Sequence, residues 1–237
     1  MVLTCVTSRY LPNLKYIAKL CEVNCAVILD LAPLPNQTKN VFVSRNRICN
    51  NSGESIWLSV PISRRGVGLI RDAKIDKTNH SWINKHIKTI AHTYPSHKKV
   101  AGNFLNQLNC SLQDSDGSLI DINSRTLNLI LDFLDLKNNN ILLESSILEV
   151  HSKQHRLDVA KAINATSYLA GDVEWELMKK SGCIDEMEHL GINVKRSMEI
   201  DPSVVPVQLA KDFSCIHSML TIGAKNTRSL ITQMIRN

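Results

Sequence analysis

The opening of the chain constrains the fold more than any later stretch. Val2 to Val6 is a short apolar run, Leu14, Ile17, Ala18 and Cys21 then recur at helical spacing, and Cys25-Ala26-Val27-Ile28-Leu29-Asp30 is a second apolar run. A strand has period two and a helix period 3.6, so the order reads strand, helix, strand. Two strands joined only by a helix are expected to lie parallel, and a right-handed crossover sets the loop at 7–12 at the carboxyl end of the first strand. Ligands of open α/β sheets bind at that end. The expected class is α/β, with a Rossmann-like parallel sheet core that opens with this strand–helix–strand unit.

Further along, residues 31–40 hold two prolines and little periodicity, which marks a loop. Two extended runs at 41–49 and 55–62 flank the turn formers Asn50-Asn51-Ser52-Gly53, so a β-hairpin insertion is expected. From Ser81 helices dominate: Ile83, Ile87, Ile90, Ala91 and Tyr94 share one face, Lys85, Lys88, Thr89 and His92 the other, and Pro95 ends the pattern. Helical patterns follow at 99–110, 123–136 and 153–164, with strands at 140–144 and 166–169. A helix, a strand at 192–199, a loop and helices at 211–222 and 225–235 complete the chain. At 237 residues, one domain spanning 1–237 is the expectation. Any break into subregions 1–113 and 118–237 falls at the turn Asp114-Ser115-Asp116-Gly117, which lacks the later ligand positions of a calcium loop.

Composition narrows the function classes. No window approaches the roughly 18 consecutive apolar residues of a membrane helix, and the N-terminus lacks the charged start and long apolar stretch of a secretory signal, so the cytoplasm is the expected compartment. Seven scattered cysteines without a Cys-x-x-Cys pair suggest neither a zinc site nor a redox couple, and most are expected to be small buried hydrophobes. The net charge of +6 favours an anionic partner. There is no long basic block and aromatics are 5%, so a specific nucleic-acid partner is not expected; a nucleic-acid binder would show tight, steeply salt-dependent binding.

Several residue sets could carry chemistry. His151 and His155, four apart, could share a helix face, but no third ligand or intervening Glu accompanies them. No metal is expected, and surface histidines are the simpler reading. Ser63-Arg64-Arg65-Gly66-Val67-Gly68 suits either a phosphate-adjacent loop or a plain solvated one, and lacks the Gly-Lys-Ser/Thr ending of a P-loop. In Arg45-Asn46-Arg47 the strand period puts both arginines on one face and Asn46 on the other. Two adjacent guanidiniums match phosphate or carboxylate, and equally suit solvation or ion pairing. Lys85, Lys88 and Thr89 add to a positive helix face that could equally be plain solvated surface.

Val43-Ser44-Arg45-Asn46-Arg47-Ile48, then Trp57-Leu58-Ser59-Val60-Pro61-Ile62, Ile75-Asp76 and Trp82-x-x-Lys85-His86-Ile87-Lys88-Thr89-Ile90-x-x-x-Tyr94, resemble the central signature of the WbqC-like family of bacterial surface-polysaccharide gene clusters. Looser matches are Arg156-Leu157, Tyr168-Leu169-Ala170-Gly171, Gly191-Ile192, Pro206-Val207-Gln208 and a C-terminal helix near Phe213, so the resemblance covers nearly the whole chain. The loop after the first strand keeps Tyr10, Pro12 and Tyr16 but lacks the family's Gln-Pro, Trp and Gly; Leu31 follows Asp30 where the family has an acidic pair; and His217 stands where relatives place an aspartate. The chain is thus a divergent, specialised or inactive member.

The resemblance implies a role in O-antigen or related glycan assembly, with glycyl transfer to a sugar amine as the proposed activity. It implies Asp30 and His86 as catalytic candidates, with Tyr10, Arg45, Asn46, Arg47, Lys85, Lys88, Thr89, Gln208 and His217 as substrate-binding candidates. An anionic small molecule, such as a sugar nucleotide or an activated acyl donor, is the implied partner; the cofactor and the oligomeric state stay open. The competing expectation is a non-catalytic ligand-binding or scaffold protein of the same pathway.

Overall fold

The computed structural model of the protein describes residues 1–35, 42–50, 52–63, 68–76, 78–79, 81–95, 98–136, 140–197 and 213–236. Its opening is the expected unit: β1 (Val2–Val6), α1 (Leu14–Glu22) and β2 (Cys25–Ile28). The two strands pair in parallel from Leu3 opposite Cys25 to Val6 opposite Ile28. Asn13 caps α1 by accepting the Tyr16 N–H at 3.0 Å, satisfying one of the donors a helix start leaves open.

Three further strands complete a five-stranded sheet: β7 (Asn140–Leu143), β8 (Ser167–Ala170) and β9 (Asn193–Arg196). The spatial order is β7-β2-β1-β8-β9, and every pairing is parallel. The chain therefore enters at the centre, builds outward through β2 and β7, and returns to the other side of β1 for β8 and β9. That reversal places a topological switch point between β1 and β8. Because both faces are covered, strand residues bury alternately in two cores. Val6, Ala26, Ile28 and Leu169 pack in one; Leu3, Cys5, Val27, Tyr168, Ala170 and Val194 pack in the other. This is the α/β Rossmann-like architecture that the opening of the sequence predicts.

The second core is roofed by α5 (His155–Ala162), α6 (Asp172–Lys180) and α7 (Cys183–His189). The single helix expected before the last strand is two short ones, separated at Gly182, whose φ of 74° is a left-handed value glycine adopts without a Cβ clash. The first core takes α1 together with the long insertion between β2 and β7. That insertion carries the hairpin β3 (Arg45–Cys49) and β4 (Ser55–Ser59), the short pair β5 (Ile62–Ser63) and β6 (Lys74–Ile75), and α2 (Trp82–Thr93), α3 (Lys98–Gln113) and α4 (Leu119–Phe133). The turn at 114–117 joins α3 to α4, and these two helices pack on each other. The short β5–β6 pairing has no counterpart in the sequence reading, because two-residue strands carry no detectable period.

After β9 come α8 (Cys215–Thr221) and α9 (Ala224–Arg236), the latter packed on α1. Among the described residues no helix is long and apolar enough to cross a membrane. All seven cysteines are free thiols, but only Cys5, Cys25 and Cys215 are buried; Cys21, Cys49 and Cys183 are partly exposed and Cys110 is exposed. The expectation that most are buried is thus corrected: the other four sit on helix and hairpin faces that neighbouring elements cover only in part.

Candidate functional site

The loop that leaves β1 is clamped rather than free. Leu29 donates its N–H to the Val6 carbonyl at 2.9 Å, so the loops after β1 and β2 start side by side. Leu11 holds φ at 44°, a left-handed value that disfavours a branched side chain. Asn46 on β3 fixes that conformation: its Nδ2 donates to the Leu11 carbonyl at 2.6 Å and to that of Tyr10 at 3.3 Å. Asn46 is accordingly buried, while Arg45 and Arg47 lie half-buried on the opposite strand face, as the period-two pattern predicts.

Two tyrosine–histidine pairs tie the loop after β1 and the C-terminal helix α8 to α2. The fully buried Tyr10 meets His86 Nδ1 of α2 at 2.9 Å through its hydroxyl, and the other hydrogen bond of His86 goes to the Ser59 backbone of β4. Burial pushes His86 down to about 4, so the ring is neutral and its Nδ1 accepts from Tyr10. Tyr94 at the end of α2 meets His217 Nδ1 of α8 at 2.8 Å. Burial lowers His217 as well. His217 thus closes a contact between two helices.

Outside these clamps runs a ladder of cations and rings. The Arg45 guanidinium lies 4.5 Å from the Trp57 ring centroid and that of Arg47 5.7 Å. Arg47 also lies 5.3 Å from Phe213, and Arg9 stands over Tyr16 and Phe42 at 5.5 and 5.6 Å. Phe42 stacks on Trp57 at 6.1 Å, and Trp57 remains 38% exposed. Each cation–ring contact contributes about 0.5–1 kcal/mol where solvent reaches it. Two guanidiniums beside an accessible indole have the chemistry to meet an anion carrying a flat or apolar group. Lys85 and Lys88 are exposed on α2 and Thr89 is half-buried, its carbonyl accepting the Thr93 hydroxyl. Gln208 and residues 64–67 of the basic glycine-containing loop lie outside the described residues.

A second polar cluster, whose members Asp30, His151, His155 and Arg156 the sequence reading names only singly, crosses the carboxyl edge of the sheet. Asp30, after β2, is 1% exposed and accepts the N–H and hydroxyl of Ser145 at 2.9 and 2.6 Å. Glu144, after β7, is fully buried and contacts His151 Nδ1 at 2.8 Å. The His151 ring stacks on His155 with centroids 3.9 Å apart, and Arg156 Nη1 reaches His155 Nε2 at 2.9 Å. Arg156 Nε and Lys19 Nζ each approach Glu174 at 2.7 Å. Glu174 also accepts the Tyr168 hydroxyl at 2.7 Å and the Gly171 N–H at 3.1 Å. Burial raises the Glu174 carboxyl, but Lys19 and Arg156 outweigh it and hold it below the usual range.

The reading of His151 and His155 as surface histidines is corrected. His155 is 8% exposed and pushed down to about 4, first by burial and then by Arg156 and His151. No third ligand joins them: among the described residues no group of three or more His, Cys, Asp or Glu side chains is placed to hold a metal. The one sequence signal for the cluster is Gly171 three residues before Glu174, the spacing at which a helix-start carboxylate reaches back to the backbone. The family-matching Arg156 and Gly171 carry no charge pattern that would reveal their shared partner. Against Arg156 opens a cavity of about 450 Å³, also lined by Lys153, Gln154, Met178, Cys183 and Glu186.

Compared with known proteins, residues 7–220 match the family described as WbqC-like protein family. No curated protein and no solved structure matches the chain.

Proposed function

The chain belongs to the WbqC-like protein family, and we propose that it is an aminoacyl (glycyl) or acyl transferase that modifies an amino sugar or related anionic metabolite in surface-glycan or specialised biosynthesis, acting in the cytoplasm. The observation that carries this reading is the exposed Trp57 between Arg45 and Arg47, on the hairpin that holds the family-like central segment. An indole accepts the apolar face of a sugar or base, and guanidiniums match phosphate oxygens in pairs. Lys85, Lys88 and Thr89 join the proposal on their family-like positions on α2, while Tyr10, Asn46 and His217 support it from beneath by holding the loop after β1 and α8 in place. Gln208 belongs to the proposal on its family-like position alone. His86 serves as a base only if Tyr10 releases its Nδ1, and Asp30 only if Ser145 releases a carboxylate oxygen.

Those two engagements favour a second reading, a ligand-binding or scaffold protein of the same pathway without turnover. A thermal-shift panel of sugar nucleotides, nucleotides, aminoacyl donors and acyl thioesters separates the readings when followed by an assay for amide formation. A ligand at a hundred times its dissociation constant stabilises the fold by about 2.7 kcal/mol. Binding with amide product supports the transferase, binding without product supports the scaffold, and a flat panel removes the ligand site.

A further inference from the structure

We propose that His151, oriented by Glu144, is the general base of the transfer step; this rests on the transferase reading above. Glu144 follows β7 directly and His151 lies in the segment joining β7 to α5, so both sit at the carboxyl edge where open parallel sheets carry their chemistry. Glu144 is fully buried, and its Oε1 lies 2.8 Å from His151 Nδ1. A carboxylate at that distance accepts a hydrogen bond, which keeps the proton on Nδ1 and presents Nε2 as the basic nitrogen. The His151 side chain is 18% exposed, and its Nε2 meets no hydrogen-bond partner among the described residues.

His155 fixes the plane of that ring. Arg156 donates to His155 Nε2 at 2.9 Å and His155 Nδ1 donates to the Ser152 carbonyl at 3.0 Å, so both of its nitrogens are engaged and it serves as a wall. The charged groups around the dyad are Asp30, which acts electrostatically on Glu144, and Arg156, which Glu174 neutralises. Glu144 Oε2 is buried without a hydrogen-bond partner, leaving His151 as the one side chain bonded to this carboxylate.

In the step, the acceptor's amine nitrogen attacks the carbonyl carbon of an activated acyl donor and forms the C–N bond. His151 Nε2 takes the proton that the nitrogen loses. The bond from the acyl carbon to the donor's leaving group breaks, and His151 returns the proton to that group, so charge and atoms balance without a redox partner.

The test uses the full-length protein with a glycyl thioester of coenzyme A and a UDP-linked amino sugar. His151→Asn is expected to lower kcat by about 10²- to 10⁴-fold at neutral pH, with partial recovery as the pH rises and the amine deprotonates unaided. Glu144→Gln is expected to lower it less, because the ring keeps a neutral partner. An active wild type with His151→Asn within threefold of it overturns the base assignment alone. A wild type that makes no amide with these substrates overturns the transferase reading and the assignment together. Independently of substrate, site-mapped carbethoxylation by diethyl pyrocarbonate is expected to modify His151 several-fold faster than His155, and to slow in Glu144→Gln. Equal rates for the two histidines, or no effect of Glu144→Gln, overturn the dyad.

Discussion

The hairpin ladder and the cluster at the sheet edge contain the same kinds of side chain and use them in opposite ways. At the edge, Lys19 and Arg156 converge on one carboxylate, Glu174, whose two oxygens accept four hydrogen bonds. The side chains of Lys19 and Glu174 are only 14% and 12% exposed. On the hairpin, Arg45 and Arg47 lie against aromatic rings, with their charge at a surface that water reaches. A buried charge must have its partner built in, because desolvation is otherwise too costly; a charge that water reaches carries a smaller desolvation cost. The cations Lys19 and Arg156 at the sheet edge are thus satisfied from within, whereas the inserted hairpin presents Arg45, Arg47 and Trp57 towards the surface.

This contrast breaks down if the buried cluster is dispensable. Glu174→Ala strands Lys19 and Arg156 together and should destabilise the protein by about 3–5 kcal/mol, read as a fall in the denaturant midpoint. A change below 1 kcal/mol would show that water already reaches the cluster. Acid offers a second test, since His86 and His155 are both held at about 4, below the ordinary value of 6.5. Between those values the unfolded chain binds protons that the folded one refuses. The contribution of these two histidines should therefore be full above pH 6.5, fall as the pH drops towards 4 and level off below it. The more deeply buried His86 contributes roughly 3 kcal/mol at most, and His155 less, because solvent screens it in part. Denaturant melts across that window, repeated on His86→Asn, check the sign and slope.

Smaller effects sharpen the comparison on the hairpin side. Tyr10→Phe removes one hydroxyl and leaves His86 Nδ1 buried without a donor, which should destabilise by about 1–3 kcal/mol in thermal melts. Arg45→Ala and Arg47→Ala should change stability by only about 1 kcal/mol, the scale of a cation–ring contact. Their ligand affinity should nevertheless fall about ten- to more than a hundredfold by calorimetry, with Lys restoring it in part, since an ammonium lacks the planar fork. Global unfolding of either variant would make these arginines structural and erase the distinction between the two regions.

Periodicity made the parallel opening, the hairpin and the alternating faces of Arg45, Asn46 and Arg47 legible in the sequence, because backbone geometry repeats every two or 3.6 residues whatever the rest of the chain does. The family-like segment likewise pointed to the hairpin. Tertiary structure alone decided the partners. Tyr10 and His86 are 76 residues apart, and Lys19 and Glu174 are 155 apart. The same holds for the pairing of Asp30 with Ser145 and for the half-buried stacking of His151 on His155, at positions where a spacing of four suggested only a helix surface. Such contacts leave no local period: they form because desolvated polar groups must find donors and acceptors wherever the packed layers bring them.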